Sequence, residues 1–175
     1  VQVSVNDLIM VFAFGAALNR LSVQGATTLF YAFAAVMGVS ISWIFVSYTS
    51  FSIIQTFLVT AIAFAGLSLY GYTTKRDLSG MGTFLMMGLI GLIVASIVNI
   101  FLKSSAIQFA ISGIGVLIFA GLTAFDTQNI KNTYLQLANT DHDFLGKSAI
   151  MGALQLYLDF LNLFMFLLQF MGNRD

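Results

Sequence analysis

Between Ser148 and Gly172 the sequence carries a single charged side chain, Asp159, inside the run LQLYLDFLNLF, which is otherwise built for an oily environment. The stretch is long enough to cross a bilayer hydrocarbon core of about 30 Å as an α-helix rising about 1.5 Å per residue. A carboxylate near the centre of such a helix costs roughly 2.5 to 3.5 kcal/mol on insertion scales. A chain that keeps it must fold so that protein or water, and not lipid, faces the acid. No other feature constrains the architecture as much.

Composition extends the membrane setting to the whole chain. The 175 residues are 59% hydrophobic and 8% charged, and the mean hydropathy of +0.94 predicts several apolar spans. Six segments answer that expectation, at about 4–19, 26–48, 51–72, 82–102, 105–125 and 148–171. Backbone groups in lipid must find partners within their own segment or in a closed barrel. These segments are about twice the length of barrel strands, so helices are expected. The expected connectors are 20–25, the turn around Thr49, 73–81, the turn at Lys103 and the longer stretch 126–147. With no repeat or second unit visible, residues 1–175 are expected to form a single transmembrane helical domain. The formal net charge of zero gives no reason to propose a nucleic-acid partner, and the lack of cysteine removes disulfides, thiol nucleophiles and thiolate metal sites.

Alternating the sides of the segments places Arg20, Lys75, Arg76, Lys131 and Lys147 on one face and Lys103 and Arg174 on the other. The richer face is expected in the cytoplasm. If the complete protein starts there too, one more helix precedes this chain. Gly88 with Gly91, Gly113 with Gly115, and the cluster from Ala13 to Ala17 are candidates for close helix contacts, because small residues replace the hydrophobic drive that lipid removes.

At 100° per residue, Ser148, Gly152, Gln155, Asp159, Asn162 and Gln169 share an arc of about 100° on the last segment. The preceding segment repeats the pattern with Gln108, Ser112, Gly115, Thr123, Asp126 and Asn129. Two adjacent helices therefore each offer one aspartate on a polar stripe. Two carboxylates facing each other in a poorly solvated place cannot both ionise cheaply, so such a pair shares a proton and senses pH. Spacing leaves open whether they touch: Asp126 falls about 31 Å along a helix starting at Ser105, and Asp159 about 16 Å into one starting at Ser148. Arg20, at the end of the first segment, is placed either to pair with Asp126 or to anchor that helix at the membrane surface.

The motifs GLTAFDTQNIK at Gly121 to Lys131 and LYLDFLNLF at Leu156 to Phe164, with FYAFAAVMGVSIS at Phe30 to Ser42 and SLYGYTTKRDLS at Ser68 to Ser79, resemble the Bax inhibitor-1 family in its bacterial branch. The resemblance runs from about Ala17 to the end of the chain. It implies an all-α polytopic bundle of seven helices with the last one central, six of them in this chain and the first family helix upstream. It also implies a multi-pass protein of the bacterial inner membrane that acts as a pH-sensitive calcium leak channel, with Ca²⁺ and protons as its partners besides the bilayer, no cofactor and no enzymatic activity. By that resemblance Asp126 and Asp159 form a proton-sharing latch, Arg20 competes for Asp126, and Asp7 marks a cation entry. Gln155, Asn162 and Asn129 then line a polar path. The resemblance equally allows an adaptor that regulates other membrane proteins, such as a quality-control protease.

Enzymatic rivals fit worse. An intramembrane aspartyl protease needs its second aspartate after Gly-x-Gly and a proline-containing loop, whereas Asp159 follows Leu156, Tyr157 and Leu158 and the chain has no proline. The only histidine, His142, lies in the polar stretch NTDHDFLG, whose two aspartates are too few oxygen ligands for a calcium loop. No metal site is expected.

Overall fold

A computed structural model describes residues 22–137 and 142–172. Asp7, Arg20 and the expected segment 4–19 lie outside the described residues, as does Arg174. Six helices follow one another: α1 Val23–Ser40, α2 Ile44–Ser47, α3 Ser50–Thr73, α4 Ser79–Leu102, α5 Ser105–Leu137 and α6 His142–Met171. With α1 and the short α2 counted as one span, five are long and apolar enough to cross a membrane. Five of the six expected spans are thus found; neither the sixth nor an upstream seventh is among the described residues.

Two boundaries correct the sequence reading. The segment expected as one helix over 26–48 breaks at residues 41–43, where backbone bonds tighten to the i to i+3 pattern: Ser42 N–H to Val39 O at 3.2 Å and Ile44 N–H to Ile41 O at 3.1 Å. The Ser42 hydroxyl competes for the same Val39 carbonyl at 2.7 Å. The connector expected over 126–147 is mostly helical, since α5 runs on to Leu137 and α6 already begins at His142. Apolarity ends near Phe125, but the helix does not. A helix ends only where its backbone pattern fails, and no glycine or proline lies between Gly121 and Gly146. At about 1.5 Å per residue α5 is about 50 Å long, well beyond an apolar core of about 30 Å.

Helix α5 packs against α3, α4 and α6, and the last helix packs against α1, α3 and α5. Three apolar clusters share it: Phe33 and Met37 of α1 meet Leu154 and Leu161, Leu85 and Leu92 of α4 with Ile118 and Leu122 of α5 meet Leu163, and Tyr48 with Ile53 meets Phe164 and Leu168. Large apolar side chains such as Ile62, Phe84, Phe101 and Leu117 point outward, as a lipid-facing surface requires.

Glycine sets the closest approaches. A β-carbon at Gly71 of α3 would fall on the carbonyl oxygen of Ala124 in α5, and one at Gly115 would meet the Phe166 ring at 2.7 Å. Gly88 also serves as a contact, against Ile118, but Gly91 has nothing within 4 Å and is not one.

Candidate functional site: a buried acid pair between the last two helices

Helices α5 and α6 form an antiparallel hairpin whose register can be followed residue by residue. Gly152 lies against Ile130, and Phe166 lies over Gly115 and stacks on Phe119 with ring centroids 5.6 Å apart. Gln169 reaches Ser112 and Gln108. Each step up α6 is matched by a step down α5, and within this register Asp159 meets Asp126. Their carboxyl groups lie side by side. The early start of α6 and the long run of α5 remove the offset expected from the sequence, because both aspartates sit well inside their helices.

Two carboxyl groups at such close quarters can hydrogen-bond to each other only when one of them carries a proton. Asp159 is 5% exposed and its second oxygen, Oδ2, has no partner. Asp126 is half-buried. Leu122, Thr123 and Leu163, one turn away along the two helices, are buried. The pair is therefore protein-facing and asymmetric, with one acid more open than the other.

The other expected polar residues divide. Gln155 and Asn162 are half-buried on α6, and the Asn162 amide donates to Leu158 O of its own helix at 2.8 Å. Asn129, one turn beyond Asp126 on α5, is exposed. The structure does not describe Arg20 or Asp7, so it neither joins them to the pair nor separates them from it.

Sequence reasoning missed Gln128, two residues beyond Asp126. Its Oε1 accepts from Leu78 N–H at 2.8 Å and its Nε2 donates to Arg76 O at 2.7 Å. Nearby, Lys131 Nζ donates to Tyr72 O at 2.8 Å and stands 5.0 Å over the Tyr72 ring. These bonds fix the α3–α4 loop on α5 and bring Lys75, Arg76 and Lys131 to one end of the bundle. α4 carries the chain from there to Lys103 at the opposite end, in the grouping that the charge count requires. In the same loop Ser79 N–H donates to Asp77 Oδ1 at 3.0 Å, which holds that exposed carboxyl below its ordinary value. Asn99 was also missed. It is a buried amide in the strongly apolar α4, and its Nδ2 donates to Gln108 Oε1 at 3.3 Å.

An all-helical bundle with five membrane-crossing lengths and an acid pair between its last two helices defines a multi-pass protein of the bacterial inner membrane. The family described as "Inhibitor of apoptosis-promoting Bax1" matches residues 3–175, and the chain belongs to this Bax inhibitor-1 family. It is 51% identical over 168 residues to the inner membrane protein YbhL of Escherichia coli, covering 96% of this chain and 72% of that one. It is also 49% identical over 165 residues to a protein of Borreliella burgdorferi, covering 94% and 71% of the two chains. With a membrane protein of Streptococcus pyogenes it shares 43% identity over 171 residues, covering 97% and 72%.

Proposed function

We propose that the protein is a pH-sensitive calcium leak channel whose gate is the proton shared by Asp126 and Asp159. The observation that carries the reading is their side-chain contact in a place closed to lipid. With one proton between them, the two acids make a charge-assisted bond that ties α5 to α6, a strong type of bond where the surroundings are poorly polar. Losing the shared proton breaks that tie, and gaining a second one leaves only a weaker, neutral bond.

Other charges at this end are placed differently. Lys131 is engaged by the Tyr72 carbonyl. Lys147 stands near the start of α6 and also has an interaction of its own. Arg20, permanently charged, claims the ionised Asp126 when the tie breaks and draws the preceding segment with it. The freed carboxylate offers an oxygen ligand to a passing Ca²⁺, a hard cation that prefers such groups. Each pK unit of difference between the tied and released states is about 1.4 kcal/mol, so two units move a balanced gate to roughly 99:1. Calcium is cargo in this scheme; the protein conducts it, catalyses no reaction and needs no cofactor.

The test is reconstitution into vesicles loaded with a calcium-sensitive dye. Flux that depends on pH is expected from the parent. Asp126→Asn and Asp159→Asn keep a donor in place of the acid but cannot titrate, so each should flatten that dependence in a folded protein. Absence of flux from the parent leaves the adaptor reading; a parental pH response in both variants defeats the latch.

A further inference from the structure

At the end of the bundle opposite the acid pair, three helices are joined, among the described residues, by a chain of neutral side chains. Asn99 of α4 donates to Gln108 of α5 at 3.3 Å, and Gln108 Nε2 donates to Gln169 Oε1 of α6 at 3.0 Å. The buried Ser112 hydroxyl, which donates to Gln108 O at 2.9 Å, also stands 3.3 Å from the same Gln169 oxygen. Asn99 Oδ1 in addition accepts Ser104 N–H at 3.1 Å, so the residue that starts the amide chain also fixes the tight α4–α5 turn. That turn bends through Lys103, the one non-glycine residue with positive φ, at 54°, among the described residues. A polar pocket of about 360 Å³ opens beside the chain, and Lys103 is the only ionisable side chain lining it.

The α5–α6 seam thus has a clasp near each end, with an apolar stretch between them around Gly115, Phe119 and Phe166. We infer that the amide chain Asn99–Gln108–Gln169 is a second, proton-independent clasp and the pivot about which α6 swings when the acid pair at the other end lets go. Amides do not titrate, so a pH change that alters the Asp126–Asp159 contact leaves this end as it was. Fixing one end converts loss of a single bond into rotation of a long helix rather than separation of the hairpin. The clasp stands on its own geometry; its use as a pivot rests on the acid-pair reading for the trigger.

The chain has no cysteine, so spin labels can be placed one pair at a time. Exposed positions suit two pairs: Asn132 with Ala149 near the acid end, and Ile107 with Met171 near the amide end. In the parent, reconstituted in vesicles, the 132–149 distance should change between acid and alkaline pH while the 107–171 distance stays fixed. Gln169→Met removes the Gln108–Gln169 hydrogen bond and the longer Ser112 contact with little change of volume, and the population with a separated 107–171 end should rise roughly tenfold at every pH. Ser112→Ala, which removes one bond and keeps the glutamine pair, should give a smaller rise and covers the case in which Gln169→Met fails to fold. A 107–171 distance that moves with pH in the parent overturns the pivot. A distance that stays tight in the folded glutamine or serine variant overturns the clasp. A 132–149 distance that ignores pH defeats the acid-pair reading and the pivot with it, while the variants still decide the clasp.

Discussion

Replacing Gly71 by alanine should separate α3 from α5 at the level of the acid pair. The new β-carbon falls on the carbonyl oxygen of Ala124, which is helix backbone and cannot rotate aside as a side chain can. One of the two helices must then shift outward, and forced overpacking of this kind costs about 1 to 3 kcal/mol. For a chain of this size that lowers a thermal midpoint by about 2 to 4 °C per kcal/mol. Gly66, on the same helix, supplies the control, because nothing lies within 4 Å of its built β-carbon. There alanine only trades a poor helix former for a good one, which is neutral or gains up to about 1 kcal/mol. Heating each variant in detergent and following the loss of the monodisperse species reads the difference directly. The Gly71→Ala midpoint should fall clearly below that of Gly66→Ala. Since Ala124 is two residues before Asp126, the same variant should also shift the pH response of calcium flux. If Gly71→Ala is as stable as Gly66→Ala, the close contact between α3 and α5 does not exist as described.

Two further outcomes follow from the ends of the bundle. Cysteines at Arg76 and Lys103, labelled in sealed vesicles by a reagent that cannot cross the bilayer, should react from opposite sides, with Arg76→Cys accessible from the cytoplasmic face; equal labelling of both would sink the topology. Gln128→Leu leaves the buried Leu78 N–H without its acceptor, a loss of about 1 to 3 kcal/mol. It should speed hydrogen exchange at Leu78 and free the 74–78 loop for proteolysis, while unchanged protection would show that the loop is held by something else.

Much of this arrangement was legible because lipid is an unforgiving solvent. An aspartate in an uncharged helix has few places to go, so the polar arcs on the last two helices pointed to the seam between them, and Ser112, Thr123, Asp159 and Gln169 all lie on its buried side. Asn99 obeys the same rule and was overlooked because it is neutral: an amide costs less than a carboxylate in lipid and attracts less notice, although it too must find a partner. Gln128 had no sequence signal at all, since its partners are backbone groups of a loop about fifty residues earlier in the chain. The helix ends were misplaced for a different reason. Hydropathy measures the thickness of the bilayer, whereas α5 and α6 run beyond it, and only the unbroken run of helix-compatible residues from Leu122 onward carries that information.

Those extra turns decide the chemistry. Had α5 stopped at Phe125 and α6 begun at Ser148, the aspartates would have faced water at one surface and apolar side chains at mid-membrane, with no reason to meet. Continuing both helices brings Asp126 inside the hairpin and sets it opposite Asp159, with Gln128 and Lys131 on the added length holding the loop that closes the same end. A titratable contact and a basic, loop-bound surface thus lie on one helix within two turns of each other. Among the described residues, the pocket at the opposite end is lined by amides, hydroxyls, Phe109 and a single lysine. On the proposed reading, a helix held by an acid pair near one end and by amides near the other turns a change of one proton into a movement along its length.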